Sequence, residues 1–456
     1  MLSNIYKPSQ KQNTTPNFIR LPIWISCILL AFDFKGQESG GIYQIVAFLT
    51  VCCLLGISAL VLSNHTKLYP SRRLQQGFIF LIIFLLSTVF TATIQRVEAA
   101  HYLTVISPYI LMFLAYWLTS GICRRYGALN AIRIIFPALI VTSAISTIWT
   151  LYYGSSSAGA SLESVRYRII SVLIPFSFAY LASATSSQQL GTLDKFFAAI
   201  VLATLLISQT RSYILTLIIA VIFSTYGHAN NTGAWIRKLI RITVFSLLAL
   251  ILSLVAVQIF ETFIPSSDNR SLIEMWASRI FGSTEQFGFD LTTATRLAEY
   301  SDQMTKLLSS PINLLLGNGL GSSYTYSGTY ANLVAGVLGN DAIPEAYWNG
   351  GHSLWVYTIY SSGILFGTAF VIFLIYVAWR AFKTIKYSRQ INQRLEKHLL
   401  VTISTGYLCM LSTGFAAFPL GSRPAAFLMG ILIALVLATG TKNFRKQINN
   451  RSRIQP

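Results

Sequence analysis

The chain predicts an all-α, polytopic integral membrane protein, and three observations predict it. Of its 456 residues, 54% are hydrophobic and only 11% are charged, with a mean hydropathy of +0.57, a balance typical of bilayer-spanning chains. The apolar residues gather in stretches of roughly the 17–25 residues that cross ~30 Å of hydrocarbon. Most of the 34 lysines and arginines fall between alternate stretches, as positive loops held on the cytoplasmic side do.

About twelve transmembrane helices follow, near 18–33, 42–63, 77–94, 103–122, 131–151, 169–186, 195–208, 212–227, 239–265, 352–379, 398–418 and 425–440. The polar start, Ser3 to Asn17, lacks the short apolar core and small-residue cleavage site of a signal peptide, so the first span is expected to be retained. The seventh and eighth spans are short and are divided by the polar tip Ser208-Gln209-Thr210-Arg211-Ser212; one bent hairpin is the other reading. With the N-terminus inside, the basic groups Arg72 and Arg73, Arg124 and Arg125, Arg237 to Arg241, Arg380 to Lys397 and Lys442 to Arg453 share the cytoplasmic face. Anionic lipid headgroups then account for the +19 net charge and the pI near 9.8, and no nucleic-acid partner is implied. All five cysteines lie in or beside apolar spans without metal-ligand spacing to histidine, which reads as packing.

One membrane domain, 1–456, therefore carries a single elaborated insert, 266–351, between the ninth and tenth spans and facing outward. Long loops in short-looped proteins carry function. Leu272 to Phe281 has the apolar clustering of a helix lying in the interface, with Trp276 at headgroup level. Thr295 to Ser309 spaces Leu297, Tyr300, Met304, Leu307 and Leu308 by three and four, an amphipathic helix that Pro311 should end. Gly317-Asn318-Gly319-Leu320-Gly321-Ser322-Ser323 is either a plain turn or a loop touching substrate; the strand-and-helix context of a nucleotide fingerprint is missing.

The outward face holds few groups able to do chemistry. Arginine presents a planar fork of donors that matches phosphate and never deprotonates. Arg166 and Arg168 precede the sixth span, where snorkelling or pairing with Glu163 would also explain them. Arg211 is the sole charge between Lys195 and Arg237, and an ionisable residue placed there is a functional candidate. Arg296 lies on the insert helix, and Arg423 heads the last span, where snorkelling alone suffices. His352 opens the tenth span in Gly350-Gly351-His352-Ser353-Leu354-Trp355; a neutral imidazole there can take a proton from an attacking hydroxyl, or merely cap the span.

These residues carry a resemblance. From Arg296 to Gly367, about 72 residues, the chain resembles the O-antigen ligase and polymerase superfamily. Arg296 is followed by Tyr300, then by Pro311, Leu316-Gly317-Asn318-Gly319-Leu320-Gly321, a variable insert, His352, Gly363 and Ile364-Leu365-Phe366-Gly367. Arg211-Ser212-Tyr213-Ile214-Leu215 is similar to the shorter upstream arginine motif. The chain departs from that pattern at Ser353, where asparagine is common, and at Ser361, where a glutamate often precedes the paired glycines.

The resemblance implies a GT-C-like membrane glycosyltransferase of the bacterial inner membrane with its active site facing the periplasm. Such enzymes move a glycan, with inversion and without a metal or other cofactor, from undecaprenyl pyrophosphate to a sugar hydroxyl. In a ligase the acceptor is the lipid A core; in a polymerase it is a second carrier-linked glycan. Carried over, Arg211 and Arg296 hold the pyrophosphate leaving group and His352 activates the acceptor. Arg166, Arg168, Arg423, Tyr300, Tyr347 and Trp348 are the further candidates for substrate contact, the aromatic ones also reading as packing or interfacial anchors. A lipid-linked glycan flippase would call for acidic residues inside the spans, whereas Asp33 and Glu261 lie at span ends. A noncatalytic assembly subunit would tolerate loss of His352 and the arginines.

Overall fold

The computed structural model describes residues 17–33, 42–64, 69, 71–157, 171–208, 210–244, 251, 291–338, 351–415 and 417–439. Among them every regular element is helical. The first helices are α1 (Asn17–Ala31), α2 (Ile42–Ser63), α3 (Arg72–Ile94), α4 (Ala99–Tyr126), α5 (Ala128–Ser157), α6 (Ile174–Ser186), α7 (Thr192–Ser208) and α8 (Arg211–His228). The insert contributes α9 (Leu291–Leu308), α10 (Pro311–Leu316) and α11 (Thr329–Leu338). The C-terminal part holds α12 (Leu354–Ser362), α13 (Thr368–Ser388), α14 (Arg394–Ser412) and α15 (Arg423–Thr439).

Among the described residues six segments can cross a membrane by length and composition: Ile42–Ser63, Arg72–Ile94, Ala99–Tyr126, Ala128–Tyr153, Leu354–Ser388 and Arg394–Phe415. Ile19–Ala31 and Arg423–Thr439 are apolar but shorter. The tip at Thr210 separates α7 from α8, so 195–227 is two helices. Most of the ninth span, 239–265, lies outside the described residues, as does the segment Leu272 to Phe281.

Two packing groups share a wall. In one, α15 is buried along its length from Pro424 to Thr439 and packs on α4, with α1, α2, α3 and α5 around them. The approach is close because Gly430 has no side chain: a Cβ there would strike the Met112 carbonyl, the small-residue contact by which apolar helices associate when water exclusion no longer drives them. In the other group α14 is surrounded by α6, α8 and α13. Arg423 Nε donates to Asp33 Oδ2 at 2.8 Å and its Nη1 to the Gln44 carbonyl at 3.1 Å, tying the head of α15 to α1 and α2. At the opposite end Arg133 donates to the buried Glu396 at 3.0 Å and joins α5 to α14.

The expected span 352–379 is present as Leu354–Ser388, but its helix is interrupted. α12 ends at Ser362, Gly363 takes φ +67°, and Gly363–Gly367 winds as one π turn before α13 continues. The glycine-rich run causes this break. Asn318 and Gly319 donate their N–H groups to the carbonyls of Tyr360 (2.8 Å) and Ser361 (2.9 Å), satisfying acceptors that a continuous helix would have paired internally. Gly317 (φ +83°) and Gly363 touch backbone to backbone, where any Cβ would collide. From the other side Gln95 Nε2 donates to Asn313 Oδ1 (3.0 Å) and to the Gly317 carbonyl (2.7 Å). The run is thus a clamp between α3 and the broken helix.

The insert helix stops just before Pro311, as its spacing predicts, and the proline also opens a new helix. α9 ends at Leu308, and Pro311 opens α10, whose Ser310 cap accepts the Asn313 N–H at 3.1 Å. A proline at the first helical position costs nothing, because its missing N–H would have lacked a partner in any case.

Candidate active site

Of the apolar residues spaced along α9, Leu307 is buried and Leu297, Tyr300 and Met304 are half-buried, but the most deeply buried ridge is polar. Leu308 is 66% exposed, whereas Glu299 is 1% and Gln303 0% exposed. The polar ridge turns inward because the chain on either side supplies donors to it. Asp302 accepts the Thr325 N–H at 2.8 Å and pairs with Lys306 at 3.1 Å. Glu299 accepts the His352 backbone N–H on Oε1 at 2.9 Å and the Gln303 amide at 3.0 Å. Its Oε2 lies 2.5 Å from His352 Nδ1, and the Tyr324 phenol donates to the same carboxylate. A buried carboxylate is stable only when so many donors converge on it.

This arrangement fixes the imidazole. With Nδ1–H held by Glu299, Nε2 is the basic nitrogen, the division of roles that a carboxylate imposes on a catalytic histidine. The His352 side chain is 34% exposed above a carboxylate side chain that is 1% exposed. Gly351 permits the approach, since a Cβ there would crowd Tyr357 at 2.8 Å and Glu299 Oε1 at 3.1 Å.

Around the pair, Tyr300 bonds the Ser353 hydroxyl, and Ser353 donates on to the Gly414 carbonyl at 3.3 Å. The serine that departs from the family-like pattern is therefore the link between α9, the head of α12 and the turn after α14. Burial raises the Tyr300 and Tyr324 phenols above their usual range; the Glu299 charge adds to this at both, while at Tyr300 the Ser353 bond opposes it. Both phenols consequently remain donors at neutral pH.

Arg296 stands one turn before Tyr300 and three residues before Glu299, on the neighbouring face of α9. Its Nε is buried and has no hydrogen-bond partner among the described residues. Arg211 is exposed and is the first residue of α8, whose start packs on the 413–415 turn. That same turn receives Ser353 and packs Phe415 against Trp355 in a tilted contact, ring centroids 5.5 Å apart. Arg211 and His352 thus lie at the same end of the bundle, joined by one turn.

Of the remaining candidates, Arg423 is engaged with Asp33, and Arg166, Arg168, Tyr347 and Trp348 lie outside the described residues. Glu299 went unnoticed in the sequence. The available signal was a carboxylate three residues after Arg296 and beside Tyr300, with Gln303 one turn on, forming a polar ridge along a helix otherwise read by its leucines. Among the described residues no three His, Cys, Asp or Glu side chains gather into a metal site. No family model and no curated protein matches this chain.

Proposed function

We propose that the chain is an inverting glycosyltransferase of about twelve transmembrane helices that moves a glycan from undecaprenyl pyrophosphate to a sugar hydroxyl on the outer face of a bacterial inner membrane. The observation that carries this reading is the buried Glu299 carboxylate holding Nδ1 of a part-exposed His352, with Arg296 on the same helix. That pairing orients a general base, and cations beside it suit an anionic leaving group.

In the proposed step the acceptor hydroxyl gives its proton to His352 Nε2 as its oxygen attacks the anomeric carbon. The bond from that carbon to the pyrophosphate oxygen breaks on the opposite face, and the diphosphate leaves with the electron pair. Arg296 and Arg211 balance its growing charge, and Glu299 balances the imidazolium. Tyr300 keeps the base in register through Ser353. No nucleotide sugar takes part.

The lipid A core is the preferred acceptor, which makes the chain a ligase; a second carrier-linked glycan would make it a polymerase. The test is the surface polysaccharide of cells lacking the chain and complemented with native protein or His352→Ala, with carrier-linked intermediates resolved alongside. Long chains left on the carrier and none on the core indicate a ligase. A single repeat on the core without a ladder indicates a polymerase. An unchanged ladder with His352→Ala removes the histidine, and with it this mechanism.

A further inference from the structure

The basic end of the bundle carries a second feature, remote from His352 and independent of the reading above. A cavity of about 400 Å³ lies between the last turns of α2 and α4 and the first turns of α3. Its two walls differ in chemistry. One is aromatic: Phe78 and Trp117 line it with ring centroids 5.8 Å apart. It is continuous with an apolar outer surface on which Leu60 is 54% and Ile79 48% exposed. The other is cationic, formed by Arg124 and Arg125 with Gln75 beside them.

The two arginines are poorly satisfied within the protein. Arg125 Nη1 is buried and has no hydrogen-bond partner among the described residues. Its guanidinium lies 5.5 Å from the Tyr126 ring, a contact that leaves the in-plane donors unused. Arg124 Nε donates only a long 3.4 Å bond to the Ser120 carbonyl. A guanidinium held in a half-buried wall without an acceptor is costly unless an anion reaches it. The first turns of α3 add the positive end of a helix dipole on the same side.

We propose that this groove binds an anionic phospholipid, with the phosphate on Arg124 and Arg125 and the first part of an acyl chain along Phe78 and Trp117. Two features select this occupant. A free phosphate would use the arginines but leave the aromatic wall without a function, and a neutral lipid would do the reverse. The groove also opens at the end of the bundle where Arg72, Arg73, Arg124 and Arg125 cluster, the distribution expected beside an anionic leaflet.

The test uses the full chain purified in detergent, with native mass spectrometry against phosphatidylglycerol, phosphatidylcholine and inorganic phosphate. Phosphatidylglycerol should be retained about tenfold better than phosphatidylcholine, from two cations near a membrane surface. Arg124→Gln combined with Arg125→Gln should abolish that preference. Equal retention of the two lipids, or an unchanged preference in the double variant, overturns the proposal. Inorganic phosphate that displaces phosphatidylglycerol at equal concentration assigns the arginines to a free anion and overturns the lipid.

A second measurement keeps both arginines and so stands whether or not the double variant folds. Phosphatidylglycerol brominated on its acyl chain should quench tryptophan fluorescence more than brominated phosphatidylcholine does, and Trp117→Phe should remove that excess. An excess that survives Trp117→Phe places the lipid elsewhere and sinks the site.

Discussion

Glu299 bears on two questions at once, because one carboxylate both closes the fold of the insert onto α12 and orients the His352 ring through Nδ1. Glu299→Gln separates the two roles. The amide keeps the shape and can still accept the His352 backbone N–H, but it cannot balance an imidazolium. Glycan transfer should fall by roughly 10⁴, the scale of losing the carboxylate behind a catalytic histidine, while the protein still purifies as a folded particle. Transfer within tenfold of native would mean that the carboxylate is structural only. At the opposite end a single hydroxyl makes a comparable double contact: Ser183 Oγ lies 2.9 Å from His228 Nε2 and 2.9 Å from His398 Nδ1, all three buried. Ser183→Ala would strip a partner from both rings, and each buried polar atom left unpaired costs about 1–3 kcal/mol. Thermal unfolding in detergent should therefore shift clearly downward, and an unmoved midpoint would show that the rings find other partners.

The elements show where local pattern governs and where packing overrides it. Apolar length located the helices from α2 to α5 and the break between α7 and α8, because in a bilayer hydropathy and backbone satisfaction demand the same segments. It also located the span beginning at His352 but not the interruption within it, which depends on backbone contacts between Gly317 and Gly363 that only the folded chain brings together. On α9 it found the buried Leu307 but placed Leu308 on the same face, where it is exposed, and it missed the polar ridge that donors from residues 324–325 and 352 hold inward. His352, Arg296 and Tyr300 were visible as single residues, whereas the carboxylate that joins them was not. The clamp itself can be tested. Gly317→Ala or Gly363→Ala would drive a Cβ into opposing backbone at a positive φ, and each should destabilise by more than about 2 kcal/mol. Gly56, on α2, has nothing within 4 Å of its virtual Cβ, so Gly56→Ala should be neutral or stabilise by up to about 1 kcal/mol. Thermal unfolding of the three variants should rank in that order, and equal shifts would remove the clamp.

Across the whole molecule the two ends of the bundle differ in kind. One end gathers Arg124, Arg125, Arg133, Lys238, Arg389 and Lys397 around polar contacts such as Lys238 to the Ser186 and His228 carbonyls, each 3.1 Å. The other gathers the insert, His352, Arg211 and the Arg423–Asp33 tie. A chain inserted by the positive-inside rule keeps the first end in the cytoplasm and offers the second to the outer face, which the proposed use of a lipid-linked donor requires. Orientation can be measured without any substrate. Thr305 on α9 and Arg241 at the basic end are both exposed. In a background with the five native cysteines replaced, Thr305→Cys should react with a membrane-impermeant maleimide in intact cells, and Arg241→Cys only after the membrane is opened. Labelling of both from one side would break the topology, since a single bundle cannot present its two ends to one compartment. Labelling of Arg241→Cys alone in intact cells would turn the bundle over, place His352 in the cytoplasm and end the case for a donor delivered at the outer face.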